Sequence, residues 1–549
     1  MKNRILWMLP VAACAAALAT VSLAGQGDPS YTSVAANKRA AGYAPSSILS
    51  PELRQAFVAQ GSMPLENPDG IVGWYGYENT APTPTNPALP QMVPGTGAPM
   101  TEAQKTEPDK NVYLHIDGQH GPDAGYDYGD HFLYQGHEAG ASVTGGKQGL
   151  ITRINLDADS AHRVTLLADK DATGQPVQAI DGITWDPWAK RLLLTTENNN
   201  APTYSATLDW PSQVVDISGA LGRGGYEGIQ DDSDGNVWIV EDVGGSNKPG
   251  TTARRPNSFL YRYVPQRKGD LAHGKLQVLQ VMNAGHPVTF ESQAALNAPD
   301  QVALRTYGQS FETRWITIHD TAVDGSTPFQ ANALAKTAGG TPFKRPENGV
   351  FRPGSGFTEF FFDETGDTNA TSPENGDPLT GAGGAGGWTS IFKLTQNDPS
   401  SSTGRLSLFY EGNEAVAGLD NVTFLSRNLI TFVEDAGATL HEQRNALDSG
   451  YVFDVTRDYS HGLQPVRWLG LGRDPSATLD AANGGFGVNE DDNEITGVHV
   501  SDGNPGVNGI LGARVPDLSQ KKWRWFYTQQ HGDNFTWEVT PASRGGGDD

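Results

Sequence analysis

Five short runs of β-branched and aromatic residues in this chain each end in a carboxylate or a histidine. They are residues 192–198, with Glu197 beside Asn198; 237–242, closing on Glu241-Asp242; 360–364, closing on Asp363-Glu364; 430–435, closing on Glu434-Asp435; and 525–531, closing on His531. Apolar stretches of this length bounded by turn residues predict buried strands. Ionisable groups rarely end a buried strand unless something pairs with them. The runs therefore predict a ring of strands that delivers acids to one shared place and holds cations there.

The rest of the pattern agrees. Further strands are expected at 150–156, 259–264, 276–281, 391–394, 406–410 and 451–455, with little helical periodicity between them. Asp232-Ser233-Asp234-Gly235 supplies the φ > 0 position of a tight turn leading into the strand at Val237. Turns and strands at this density predict an all-β sandwich, barrel or propeller. The length exceeds that of one sandwich, and only a propeller lets strand ends from distant segments meet on one axis. The expected fold is an all-β propeller with loop insertions and an N-terminal extension.

The expected domain order is a signal peptide at 1–24, an extension and Pro-rich linker at 25–110, the propeller at 111–540, and a tail at 541–549. Lys2 and Arg4 precede an apolar stretch that ends in Ser22-Leu23-Ala24, the layout of an export signal with cleavage after Ala24. The competing reading is a lipoprotein anchor at Cys14, disfavoured because the following residues stay apolar. Within the extension, Ser50-Pro51-Glu52 predicts an N-cap and a short helix through Val58. Residues 81–99 read as an extended linker, and 369–387 and 480–492 as long surface loops.

Composition narrows the partners. The net charge is −24, and losing Lys2 and Arg4 makes it more negative by two. Such a surface repels phosphate backbones, so no nucleic-acid partner is expected. No segment beyond the N-terminus is apolar for long enough to span a bilayer. The chain has one cysteine, and cleavage after Ala24 removes it, leaving no disulfide and no thiolate ligand. A periplasmic or secreted location follows from the export signal.

The familiar nucleotide and hydrolase motifs fail. Gly381 to Gly386 satisfies G-x-G-x-x-G without a preceding strand or a following helix, and residues 269–275 resemble a P-loop that ends in Leu276. There is no G-x-S-x-G and no H-E-x-x-H. The acids carry more. Glu227 lies between glycines in Gly224-Gly225-Tyr226-Glu227-Gly228, Glu347 follows Arg345-Pro346, Asp420-Asn421 follows Gly418, and Glu494 lies in Asn493-Glu494-Ile495-Thr496-Gly497. Singly, each reads as a turn cap or a solvated charge. Together, all-oxygen donors suit hard cations such as Ca²⁺, with the occasional histidines leaving room for iron or zinc.

In their order, these motifs resemble the PhoX-type alkaline phosphatase family of exported bacterial proteins. The segments that carry the resemblance are 132–138, 194–198, 220–228, 259–264, 343–347, 419–424, 493–497 and 529–532. The resemblance implies a six-bladed propeller, an axial site holding two irons and three calciums, and a small-molecule phosphoester substrate. It implies Glu197, Glu227 and Glu347 as metal ligands with Asp420 and Glu434 as additional ones. Arg345 would contact the phosphoryl group, and Glu227 would share the catalytic work. The chain departs from the family at Thr196, where iron-binding members carry cysteine, which puts the Fe³⁺ pair in doubt and leaves Ca²⁺ as the expected cofactor. The alternatives are a non-catalytic calcium-binding propeller for scaffolding or recognition and, more distantly, a calcium-centred esterase or lactonase. A monomer is expected.

Overall fold

The computed structural model describes residues 28–38, 46–79, 92–93, 101–102, 105–138, 140, 142–143, 146–369, 385–472, 494–530 and 534–543. The expected export signal at 1–24, Cys14, His531, residues 371–384 and the expected loop 480–492 lie outside them. The predicted runs are strands buried on both faces, which is why they read as continuous apolar stretches rather than alternating ones. Val237–Glu241 and Leu429–Glu434, for example, are buried at every position.

The strands form antiparallel four-stranded meanders. The first runs Pro108–His115, His131–His137, Leu150–Asn155, Val164–Ala168, and the second Ile183–Asp186, Arg191–Leu194, Tyr204–Ala206, Val214–Asp216. The third comprises Tyr226–Asp231, Val237–Glu241, Leu260–Pro265 and Gly274–Asn283; the fourth Gly349–Phe351, Glu359–Glu364, Ser390–Gln396 and Thr403–Glu411. An inserted strand, Phe311–Asp320, pairs with the outer strands of both and fuses them into one sheet. The fifth runs Leu419–Phe424, Leu429–Glu434, Ser449–Asp454, Val466–Gly470, and the sixth Glu494–Ser501, Arg524–Gln530, Phe535–Pro541.

The leading strand of each meander touches the leading strand of the next, and the sixth touches the first, so the ring closes. The result is an all-β, propeller-like fold. Cores fill the wedges between neighbouring sheets. Trp238 of the third meander meets Phe351 and Phe360 of the fourth at ring distances of 5.0 and 4.9 Å, and Trp468 of the fifth meets Trp525 of the sixth at 4.4 Å.

Around the axis, a belt of hydrogen bonds crosses every boundary between meanders. The Ile180 N–H donates to the His137 carbonyl (2.8 Å), Thr195 Oγ1 to the Glu227 carbonyl (2.5 Å), and the Gly228 N–H to the Glu347 carbonyl (2.8 Å). Asn348 Nδ2 then donates to Asp420 Oδ1 (3.0 Å), the Gly497 N–H to Asn421 Oδ1 (3.1 Å), and Asn111 Nδ2 to the Gly497 carbonyl (2.7 Å). Two glycines permit this closeness. A Cβ on Gly228 would lie 2.6 Å from Asn348 Oδ1, and Gly497, at φ +61°, leaves no room beside the Asp109 carbonyl.

The expected helix from Pro51 to Val58 is instead the strand Leu53–Ala59, which pairs along Phe535–Pro541 and completes the sixth meander. Ile48–Leu49 likewise pairs with Val466–Gly470. This part of the extension is thus built into the sheets, because a vacant strand edge offers more backbone hydrogen bonds than a short isolated helix. Deleting residues 28–59 should lower the melting temperature by several degrees and promote aggregation through the uncovered edge, read by calorimetry and light scattering. An unchanged melting curve would show that the strand is not structural.

Candidate metal centre

An antiparallel hairpin places the start of its first strand beside the end of its second. Because every meander begins at the axis, these two positions face the same end of the ring in each. They carry Asp109 and Glu138 in the first meander, Asp181 and Glu197 in the second, and Glu227 and Asp242 in the third. The fourth supplies Glu347 and Asp363, the fifth Asp420 and Asp435, and the sixth Glu494 and Gln530.

Four of the leading strands carry the same irregularity, in which two residues oppose one. Asp109-Lys110 lie opposite Gly136, Glu227-Gly228 opposite Val240, Asp420-Asn421 opposite Val433, and Gly497-Val498 opposite Tyr527. These β-bulges bend the strand and re-aim a side chain that regular pleating would send elsewhere. In three of them the re-aimed pair includes an acid.

The acids crowd one another. Asp109, Glu138 and Asp181 present ligand atoms within 4.8 Å of one another, as do Glu227, Asp242 and Glu347. Burial, then the neighbouring carboxylates, holds Asp109, Glu138, Asp181, Glu227, Glu347, Asp363 and Glu494 well above the usual carboxylate range. For Asp181, a hydrogen bond with Glu227 opposes part of that rise. Burial lifts Asp420 to about 6, with Asn421, Lys110 and Asn348 limiting the rise.

Two cations answer this charge. Arg345 adopts φ +54° and donates from Nε to Asp242 Oδ2 at 2.8 Å, while its Nη2 lies 3.3 Å from Glu347 Oε1. Burial works against its charge, but Asp242 and Glu347 outweigh it and keep the guanidinium fixed. Its buried Nη1 has no hydrogen-bond partner among the described residues. Lys110 is fully enclosed, and its Nζ also lacks a hydrogen-bond partner there. Burial lowers its pKa, opposed by Asp181, Asp420, Asp109 and Asp363.

Glu197, Glu227, Glu347, Asp420 and Arg345, anticipated from the sequence, all gather here. Glu434 does not. Its carboxylate accepts from Arg444 Nη2 (2.8 Å), the Ser449 N–H (2.9 Å), the Ala417 N–H (3.1 Å) and the Tyr451 hydroxyl (3.2 Å), which account for it without a cation. Strand alternation explains the difference, since the next residue, Asp435, interacts electrostatically with Glu138, Arg345 and Glu494. In the same way Glu241 binds the Phe259 N–H, Tyr261 and Asn332 while Asp242 faces the axis, and Glu364 pairs with Arg305. Sequence reading missed Asp109, Lys110, Glu138 and Asp181. The signal was slight: Asp109 stands at the first position of its bulge, as Asp420 does.

Residues 250–505 match the family model described as alkaline phosphatase PhoX. Over that stretch, a little under half of its length, the chain is similar to the PhoX alkaline phosphatases. The fold of this chain is similar to the solved structure of Pseudomonas fluorescens PhoX in complex with vanadate, a transition state analogue. The TM-score is 0.55 and the identity 12%, over 93% of this chain and 98% of that one. At that identity the likeness shows a shared fold alone. An α-L-arabinofuranosidase from Podospora anserina in complex with cellotriose (8% identity, 83% of this chain and 96% of that one) aligns at a TM-score of 0.31. A mutant apocarotenoid oxygenase from Synechocystis (10% identity, 77% and 88%) gives the same score. Neither carries an argument. No curated protein matches the chain.

The donor set fits hard cations. Asp181 Oδ1, Asp242 Oδ1, Asp363 Oδ2 and Asn348 Oδ1 are buried without hydrogen-bond partners among the described residues, as oxygens awaiting a cation would be. A thiolate-held iron fits poorly: Thr196 Oγ1 donates to the Pro202 carbonyl at 3.0 Å, and the one cysteine is Cys14.

A carboxyl whose folded pKa is raised contributes stability in its neutral form. That contribution is complete below its unfolded pKa and is lost as pH rises through the folded value. For Asp420 the window runs from its usual 3.8 to about 6. Cation-free protein should therefore lose melting temperature across this window, Asp420→Asn should lose less, and Ca²⁺ should flatten the wild-type curve. Parallel curves for wild type and variant would exclude Asp420 from the coupled acids.

Proposed function

We propose that this chain is an exported, metal-dependent phosphoester hydrolase whose carboxylate ring holds Ca²⁺-class cations at the propeller axis. The observation that supports it most is the convergence of buried acids from every meander on a place where Lys110 and Arg345 offset only part of their charge. Like charges so packed are unstable unless protonated or bound to cations.

Asp109, Glu138, Asp181, Glu197, Glu227, Asp242, Glu347, Asp420 and Glu494 would hold the cations. Bound there, these would polarise the phosphoryl oxygens and offset the substrate's charge. Arg345 binds and orients the phosphoryl group: two of its nitrogens are anchored by Asp242 and Glu347, leaving Nη1 as a planar, permanently charged donor. Glu227, hydrogen-bonded to Asp181, can hold a proton beside the reacting group. Lys110 adds a cationic group among Asp109, Asp181, Asp363 and Asp420. Positioning and fixed charge are what phosphoryl transfer chiefly requires of a protein. Iron, lacking its thiolate, is the less suited metal.

The N-terminal sequence supports export, and no described helix is long and apolar enough to cross a membrane. The bond from Thr196 to Pro202 favours one second reading, a calcium-binding propeller without turnover.

Metal-reconstituted mature protein should release phosphate from an aryl phosphate between pH 7 and 10 and lose that activity on chelation. Arg345→Ala should lower kcat/KM by roughly 10²–10³-fold, and Glu227→Gln should lose metal and activity together. Strong thermal stabilisation by Ca²⁺ with no phosphate released under Ca²⁺ or Fe³⁺ would transfer the assignment to the second reading.

A further inference from the structure

At the other end of the first meander, His115 closes the leading strand and His131 opens the next, directly opposite it. The His115 N–H donates to the Gly503 carbonyl and the Ile116 N–H to the Asp130 carbonyl, so His115 and His131 form a non-hydrogen-bonded pair. Side chains approach most closely in such pairs. The two imidazoles stack at 4.5 Å with 4° between their planes. Asp130 bridges them, with Oδ2 2.9 Å from His115 Nε2 and Oδ1 2.7 Å from His131 Nδ1. Asp157 Oδ2 lies 3.0 Å from the same His131 nitrogen and accepts the N–H groups of Asp130 and His131.

Single His–Asp pairs recur on this acidic surface, as at His120–Asp209, His273–Asp270 and His286–Asp300. A pair of stacked imidazoles sharing one carboxylate, with a second carboxylate behind, is a different arrangement. Two neutral imidazoles and two carboxylates sum to −2, the complement of one divalent cation. We propose that His115, His131, Asp130 and Asp157 form a binding site for a borderline divalent transition cation of the zinc class. Mixed imidazole–carboxylate donors suit that class, and calcium, which prefers an all-oxygen set, suits it less. A tetrahedral ion with bonds of about 2.0 Å spaces its ligands roughly 3.3 Å apart. The three histidine–carboxylate separations would open by less than an ångström, and the ligand atoms of His115, Asp130 and His131 lie within 4.8 Å of one another. Each imidazole would offer the cation the nitrogen that now faces Asp130, and carry its N–H on the other.

The site is independent of the axial acids. Six residues of strand separate His115 from Asp109, about 20 Å at the usual rise, and the two lie at opposite ends of the ring. A cation there would staple the hairpin of the first two strands to the turn at Asp157.

With Ca²⁺ held saturating, Zn²⁺ alone should bind the full-length mature protein by calorimetry and raise its melting temperature. Co²⁺ should give the absorption bands of a four-coordinate site. His115→Ala and His131→Ala should each remove one Zn²⁺ equivalent and the thermal shift, while His120→Ala should keep both. Should His131→Ala fail to fold, His115→Ala carries the test, since that side chain is half exposed. Equal Zn²⁺ stoichiometry in wild type and His115→Ala, or no binding at micromolar Zn²⁺, would overturn the proposal. Neither result would bear on axial phosphatase activity.

Discussion

Repulsion among buried carboxylates governs this molecule. Hydrophobic wedges between the meanders favour a closed ring, and closing the ring forces acids from every meander into one desolvated space. The protein offsets part of that charge with Arg345, clamped between Asp242 and Glu347, and with Lys110, enclosed among four acids. What remains can be relieved by protons or by cations. The candidate metal centre and the fold are therefore the same electrostatic problem, met from two sides.

Backbone geometry makes the crowding specific. Hairpin topology determines which strand ends face the axis, and the bulges at Asp109-Lys110, Glu227-Gly228 and Asp420-Asn421 aim the acids across it. The belt of hydrogen bonds through Gly228, Asn348, Asn421 and Asn111 ties each bulge to its neighbour. Small residues recur in this belt because backbones meet there, so steric fit and ligand placement are set by the same positions.

Much of this was legible in the sequence. Apolar runs with acidic ends marked the second strand of several meanders, and the all-β ring followed from their number. The runs misled in one respect. Adjacent acids such as Glu434-Asp435 and Glu241-Asp242 point to opposite sides of a strand, so one member is structural and the other axial. Hydrophobic pattern cannot choose between them when both faces are buried. The leading strands were harder still, because a bulge breaks the alternation by which strands are recognised. Leu53–Ala59 was lost for another reason: its partner lies at the far end of the chain, and local capping signals carry no information about it.

That last pairing sets an order of assembly. The final sheet pairs Leu53–Ala59 with three strands from residues 494–541, so the ring cannot close before that last stretch has been made. Glu494 and Gln530 arrive last, and until they do the axial set of side chains is incomplete. A site that draws on all six meanders therefore needs the closed ring.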